Sequence, residues 1–319
     1  MNYRWQEKDV ELGFLLGELH LGKVRFKGLV LNNGFNPFGI PPVLELPPAI
    51  EVAVVWSHPD YANLPLYTAF GPVFRYVPHR YERCYVDLQQ SASDYLKKFA
   101  SKSRYTLLRK VRKFTALAAG NVEMREFRRP EEMKEFLAQA RQISAKTYQE
   151  RLLRHAGIPG HAGFDDEMRL LAESDLVRAY TLCLQGHPLA YLCCTATNGN
   201  LVYRFVGHDP QYGHVSPGVV LQYLALGRLF EERRFTMLDF TEGSNQHKQF
   251  FSTGSMACAD VYYFRNTAAN RAIVMLHALL RQTTRATAAL LQGLGIRPQL
   301  KKFLRQAACS GNPTLSDRI

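Results

Sequence analysis

The sequence predicts an α+β fold, in which strands and helices follow one another along the chain. Residues 200–207 alternate in polarity and carry β-branched and aromatic side chains, the pattern of a strand that ends in the turn His208-Asp209-Pro210. A second strand ends at Leu238-Asp239-Phe240. An apolar helix between them begins at Ser216-Pro217-Gly218, where serine suits the N-cap, proline suits the first helical position and glycine leaves room for a ligand. A helix start beside two strand ends favours the binding of an anion.

Length and composition set the outer bounds. The chain has 319 residues, of which 46% are apolar and 12% aromatic, as in an ordinary folded protein of two domains or of one domain with large additions. No run of 18 apolar residues occurs, and the first residues lack the basic and apolar regions of a signal peptide, so we expect a cytoplasmic protein. The six cysteines show no C-x-x-C spacing and the ten histidines no H-E-x-x-H spacing. We therefore expect buried thiols and no metal site.

Positive charge is concentrated in two segments of a chain with a net charge of +12. Residues 91–130 hold eleven Lys or Arg against three acids, and residues 266–319 hold eight against Asp317 alone. The first segment contains a helix with Leu107 and Phe114 on its apolar side, so its charges line the other side. Such a run indicates either a solvated face or a polyanionic partner, namely a phosphate-bearing cofactor, tRNA or an anionic membrane.

The C-terminal basic segment alternates apolar and basic residues. This pattern suits either packing on the main body or lying on a membrane surface, and we expect packing. Its apolar positions are Ile273, Leu276, Leu280, Leu290, Leu291 and Leu294.

Segment 93–251 resembles the GNAT-fold acyltransferases of the FemAB-like, CelD-like group in four places that occur in the same order. The first is the basic helix of residues 102–113, similar to an Arg-x-x-x-Arg-Arg helix of that group. The second is the turn of residues 186–190, where the group has a Gly-x-Pro-Val-Ala hairpin. The third runs from Gly207-His208-Asp209-Pro210 to Ser216-Pro217-Gly218, and the fourth is Asp239-Phe240 followed by Gly243 and Lys248. Four matches in register over about half the chain are more specific than any one motif.

The resemblance implies a GNAT-type mixed β-sheet flanked by helices, and transfer of an acyl group from a thioester to an amine or hydroxyl. In such folds the pantetheine arm of coenzyme A lies between two parallel strands that splay apart. The pyrophosphate lies on the following helix start, which here implies cofactor contacts from Val215, Ser216, Gly218 and Val219. Lys248 could neutralise phosphate or carboxylate charge. The chain lacks the Gln/Arg-x-x-Gly-x-Gly/Ala loop of ordinary GNAT enzymes, and Fem-type relatives take an aminoacyl group from tRNA instead.

Two residues are candidates for proton transfer. His247 stands where the group often has a tyrosine that protonates the leaving thiolate, and histidine can exchange a proton near neutral pH. Asp239 ends a strand at the expected cleft, where it could orient an acceptor amine, act as a base or serve only as a cap. The resemblance also implies that Tyr148, His155 and Arg204 contact the substrate.

We therefore predict a degenerate GNAT-like half over residues 1–92, a GNAT acyltransferase domain over 93–265 and a basic helical extension over 266–319. The predicted activity moves an acyl group from a thioester, with acyl-CoA as co-substrate and no permanently bound cofactor, to a small-molecule, glycan-linked or lipid-linked acceptor. Cell-envelope or polysaccharide synthesis is the expected setting. The alternatives are an aminoacyl-tRNA-dependent Fem-type peptidyltransferase and a catalytically dead GNAT-like scaffold protein.

Overall fold

The computed structural model of the protein describes residues 5–17, 19–32, 42–146 and 157–293. The chain divides into two compact units. Unit 1 consists of Met1–Glu82 together with Met256–Ile319, and unit 2 of Arg83–Ser255. The unit borders fall at residues 82/83 and 255/256. The division into domains at 92/93 and 265/266 stays a prediction. Among the described residues, no helix is long and apolar enough to cross a membrane.

Unit 1 is a mixed sheet covered by one long helix. The order of its strands is β1-β2-β3-β11-β5, and β4 pairs with β5. β1 and β2 are antiparallel, β2 and β3 are parallel, and β3 and β11 are antiparallel. Its elements are β1 (Gln6–Leu16), β2 (Leu19–Asn32), β3 (Val52–Pro59), β4 (Tyr67–Phe70), the first part of β5 (Val73–Asp87), the second part of β11 (Gly254–Arg265) and the last helix, α7 (Ala268–Gly293).

The inner face of α7 carries a buried histidine. His277 is only 4% exposed, its Nδ1 lies 2.8 Å from the Tyr76 hydroxyl, and its ring meets the Phe14 ring edge-on. Burial, helped by the positive charge of Arg281, lowers the pKa of His277 from 6.5 to about 4. The folded protein therefore holds this imidazole uncharged at neutral pH.

We expect the stability of unit 1 to fall as the pH is lowered from about 6.5 towards 4. In that window His277 binds a proton in the unfolded chain but not in the folded chain. The free energy of unfolding should therefore fall by up to about 2 kcal/mol between pH 7 and 5. Thermal unfolding of the wild type and of His277→Phe at both pH values measures this. The wild type should lose more stability than the variant on acidification, and equal losses would assign the acid sensitivity to other groups.

Unit 2 holds the second sheet region, with strand order β5-β10-β9-β8-β7-β6. β9 and β10 are parallel, whereas the other neighbours are antiparallel. Its strands are the end of β5 with β6 (Glu123–Phe127), β7 (Val177–Leu184), β8 (His187–Thr197), β9 (Asn200–His208) and β10 (Met237–Glu242). Its helices are α1 (Ala92–Lys97), α2 (Ser101–Leu117), α3 (Met133–Ser144), α4 (Ala162–Glu173), α5 (Pro217–Glu232) and α6 (Gln246–Phe251).

Helices cover both faces of this sheet. Alternate residues of one strand point to opposite faces, so Cys194 joins the core formed with α1, α2 and α5, whereas its neighbour Cys193 joins the core formed with α3 and α4. The predicted α+β class and the mixed sheet flanked by helices are confirmed. Each of the five cysteines within the described residues is a buried free thiol, and Cys309 lies outside that part of the chain.

Candidate functional site

The two parallel strands of unit 2 separate after a short stretch of pairing. β9 and β10 pair at three positions, Met237 with Asn200, Leu238 with Leu201 and Asp239 with Val202. Both strands are fully described and no further pair follows, although β9 continues to His208 and β10 to Glu242. On its other edge, β10 pairs with β5 from Met237–Asp87 to Glu242–Arg83, with a register shift after Asp239. An opening between the two parallel strands is therefore present. The resemblance to GNAT-fold acyltransferases implies that the pantetheine arm of the acyl donor binds in such an opening.

Two aromatic rings meet where the opening begins. Tyr203 and Phe240 are the first residues past the last pair on each strand, and their ring centroids lie 5.1 Å apart in an edge-on contact. Burial raises the pKa of Tyr203, and its buried hydroxyl has no hydrogen-bond partner within the described part of the chain. A buried hydroxyl without a partner carries a desolvation cost that a ligand or a water could offset.

The start of α5 offers fewer free donors than the sequence predicts. Ser216 occupies the N-cap position as predicted, but it adopts the left-handed conformation at φ +53° and its side chain forms no capping hydrogen bond. Its carbonyl oxygen instead accepts from the N–H groups of Val219 and Val220 at 3.0 and 3.1 Å. Pro217 has no N–H to offer. Among the described contacts, the Gly218 N–H is therefore the one donor of the first turn that has no backbone partner.

The turn that leads into α5 is fixed by a buried carboxylate. Asp209 accepts from the N–H of Gln211 at 3.0 Å and from the Lys146 amino group at 2.9 Å. Burial alone would raise the pKa of Asp209, but the hydrogen bond from Lys146 lowers it, so this side chain stays ionised. Val215, at the end of the turn, is buried at 3% exposure and joins the core. Asp209 therefore has a structural role in presenting the helix start.

Gly207 is required by a close contact. A Cβ built on Gly207 would lie 2.5 Å from Cε1 of Tyr191, a distance that no side chain tolerates. We expect Gly207→Ala to lower the free energy of unfolding by about 1–3 kcal/mol through overpacking. Urea unfolding measures the loss. Gly213→Ala is the control, since a Cβ on Gly213 meets nothing within 4 Å, and equal stability of the two variants would contradict the contact.

One histidine lies over the start of α5, and a second histidine lies in a positive electrostatic field. A Cβ on Gly218 would lie 3.6 Å from Nδ1 of His208, so that imidazole lies over the first turn. Burial lowers the pKa of His247, and the positive fields of His208, Lys110 and Lys248 lower it further. The His247 ring packs against Phe251 at 5.0 Å between centroids. His247 is therefore uncharged at neutral pH and can accept a proton.

Asp239 is held in a buried ion pair. Nε of Arg83 donates to Oδ1 of Asp239 at 3.1 Å, the other arm of the guanidinium binds Oδ2, and the Thr241 N–H also donates to Oδ1 at 2.8 Å. Asp239 is 1% exposed and Arg83 is 7% exposed. Both carboxylate oxygens are engaged, so this geometry favours a structural role over a catalytic one. The pair stabilises the bend at Thr241, whose φ is +62°.

Lys248 is bound at the base of the loop that precedes α6. Its amino group donates to the Glu242 carbonyl at 2.6 Å, and its N–H is capped by the Asn245 side chain at 2.9 Å. Burial lowers the pKa of Lys248. A contact between Lys248 and a phosphate remains a prediction.

Of the three predicted substrate contacts, Arg204 is the one that lies within the described residues. Arg204 binds Glu167 of α4 at 2.6 Å, and its guanidinium lies over the rings of Phe164 and Phe205. It therefore serves packing against α4. Tyr148 and His155 lie outside the described residues.

Two residues near the site carry no individual prediction from the sequence. His208 belongs to the turn that ends a strand, and Arg83 has no local signal, because its partner Asp239 is 156 residues away. Lys110 belongs to the basic helix for which a polyanionic partner is one prediction.

A family model matches the central part of the chain. Residues 101–249 match the model described as an acetyltransferase (GNAT) domain. The mixed sheet with helices on both faces is consistent with that match.

One solved structure, FemX, shows the same fold over most of the chain, and two others are less similar. FemX is similar with a TM-score of 0.50 and 11% identity, covering 85% of this chain and 90% of that one. L-PGS from Bacillus licheniformis has a TM-score of 0.48 and 14% identity, covering 81% and 85%. A GCN5-related N-acetyltransferase from Kribbella flavida has a TM-score of 0.39 and 14% identity, covering 84% and 92%. No curated protein matches this sequence.

Proposed function

We propose that this protein transfers an acyl group from a coenzyme A thioester to an amine or hydroxyl of an acceptor. The observation that carries the proposal is the opening between β9 and β10, which begins after Asp239 and lies beside the start of α5. A pantetheine arm is an extended chain of about the width of a strand, and it can take the place of the missing strand pairing. The GNAT class of the domain supports the same reaction.

The donor phosphates have a suitable environment at the start of α5. The Gly218 N–H has no backbone partner among the described contacts, and the positive end of a 16-residue helix favours an anion. The positive charges of Lys110 and Lys248 act on His247. A single free N–H is a weak anion site by itself, and the lysines supply the charge that the helix end lacks.

The proton step is assigned to His247. The acceptor nitrogen or oxygen attacks the thioester carbon, a C–N or C–O bond forms, and the C–S bond breaks. The acceptor proton passes to the uncharged imidazole, and the thiolate leaves and takes up a proton. A histidine with a lowered pKa suits the role of base rather than of acid at neutral pH. Positioning of donor and acceptor supplies the larger part of the expected rate.

A thermal-shift series tests donor binding. The folded protein should melt at a higher temperature with acetyl-CoA or a longer acyl-CoA, because a ligand that binds only the native state stabilises it. Dephosphorylated pantetheine thioesters should raise the melting temperature less, since they lack the phosphates. An unchanged melting temperature with every acyl-CoA would contradict the proposal. A rise without turnover on any acceptor would favour the scaffold alternative.

A second candidate function uses aminoacyl-tRNA as the donor. One exposed stripe of α2 supports it, formed by Lys102, Tyr105, Arg109 and Arg112. Within the described residues none of these cations forms a salt bridge, and the Arg112 guanidinium lies 5.7 Å from the Tyr105 ring centroid. Basic residues interleaved with an exposed aromatic ring suit a nucleic acid.

The salt dependence of binding distinguishes the two candidate donors. Binding of tRNA should weaken steeply with ionic strength, because several phosphates release counterions, whereas coenzyme A has few phosphates and should respond mildly. Titration of the protein with labelled tRNA and with acyl-CoA at low and physiological salt measures both slopes. Absence of tRNA binding even at low salt would remove this candidate.

A further inference from the structure

The helix α7 of unit 1 has an inner and an outer face of different character. On the inner face, Val274 and His277 are 2% and 4% exposed. On the outer face, Met275, Leu276 and Leu279 are 69%, 52% and 57% exposed. The expectation that this helix packs on the main body holds for the inner face, but Leu276 lies on the outer one. These three large apolar side chains lie on adjacent turns, and exposing such an apolar surface to water is unfavourable.

A second exposed apolar group belongs to the tip of the β1–β2 hairpin. Leu16, Leu19 and Leu21 are 43%, 61% and 50% exposed. The tip is tied to α7, because the Gly17 N–H donates to Oγ1 of Thr284 at 3.0 Å. Thr284 follows Met275 by nine residues, or about 14 Å along the helix axis. The two apolar groups therefore belong to neighbouring parts of unit 1.

The charge of α7 and of the sequence that follows it has one sign, whereas the hairpin tip contains Glu18. Residues 261–316 contain eight Lys or Arg and no Asp or Glu. Within α7 itself the sequence holds Arg271, Arg281 and Arg285 and no acid. Apolar side chains on a helix whose charged residues are all basic are typical of a segment that lies in the interface of an anionic membrane. The same charge opposes pairing of this face with a second copy, because both partners would be basic.

We propose that unit 1 docks on an anionic membrane surface through Met275, Leu276 and Leu279 of α7. The apolar side chains enter the boundary between headgroups and acyl chains, and the basic residues contact lipid phosphates. Docking of this kind requires no membrane-spanning segment. The proposal is independent of the acyl-transfer activity, since it uses residues of unit 1 alone.

Vesicle flotation with the full chain tests the proposal. The wild type should float with vesicles of phosphatidylcholine that contain about one quarter phosphatidylglycerol, and it should stay at the bottom with phosphatidylcholine alone. The double variant Met275→Glu, Leu279→Glu should reduce the floating fraction at least about tenfold, because it places two acids in the docking face. Both positions are exposed, so the melting temperature should change little.

Leu170→Glu is the matched control, because Leu170 is an apolar residue of α4 in unit 2 that is 54% exposed. It should float like the wild type. The proposal is overturned if the wild type does not bind anionic vesicles, or if the double variant binds them as well as the wild type does. Self-association of the wild type that the double variant abolishes, without flotation, would also overturn it and would assign the face to a second copy.

Discussion

We expect Asp239→Ala to lower the free energy of unfolding by about 3–5 kcal/mol, because it leaves the Arg83 guanidinium buried without its carboxylate. The pair is bidentate and almost wholly removed from water, so solvent cannot compensate for the lost partner. Urea unfolding gives the change as a shift of the midpoint at constant slope. This effect should exceed that of any other single carboxylate among the ion pairs described above.

Two further variants make this result specific. Glu173→Ala removes an exposed partner of Arg169 in α4 and should change stability by no more than about 0.5 kcal/mol. The double variant Arg83→Met, Asp239→Leu should recover much of the loss, because it removes both charges together. If Asp239→Ala lowers the free energy of unfolding by less than about 1 kcal/mol but abolishes turnover, Asp239 is the base and the structural assignment is wrong.

The second large effect concerns His247. His247→Phe should reduce turnover at least about tenfold, since the variant removes the proton acceptor while an aromatic ring of similar size still packs against Phe251. Steady-state transfer of a labelled acyl group to the acceptor measures it. His187→Phe, at an exposed turn of unit 2, is the control and should leave turnover unchanged. A near-normal rate for His247→Phe would remove the catalytic assignment.

The pH profile tests the protonation state of the same residue. The pKa of His247 lies below 6.5, so a base at this position is already uncharged at pH 7. The wild-type rate should stay level near neutral pH and decline on the acid side, below 6.5, as the imidazole takes up a proton. A rate that instead rises on acidification through this range would assign His247 the role of acid.

Local signals predicted the elements around the opening well. The alternating run at 200–207 is the strand Asn200–His208, and the helix begins at Pro217 as its proline and glycine indicate. Both signals act within a few residues: side-chain alternation defines a two-sided strand, and proline suits a helix start because its missing N–H costs nothing there. The buried cysteines follow from the same alternation along apolar strands.

Features that depend on distant residues were not predictable. The partner of Asp239 comes from Arg83, and no pattern in one sequence links positions so far apart. The left-handed backbone of Ser216 depends on the preceding turn, which Asp209 and Lys146 fix, so the predicted capping bond does not form. The division into units likewise depends on long-range pairing of β11 with β3.

The most direct test of the account compares Gly218→Asp with Gly218→Asn in the acyl-CoA thermal-shift assay. The two side chains have nearly the same size, and the site has ordinary van der Waals space beside His208. An acid in the first turn suits the helix dipole, so Gly218→Asp should fold at least as stably as Gly218→Asn. If donor phosphates lie at this helix start, Gly218→Asp should lose most of the acyl-CoA-induced rise in melting temperature, whereas Gly218→Asn should keep clearly more of it. Equal rises in the two variants and the wild type would place the donor elsewhere and contradict the account.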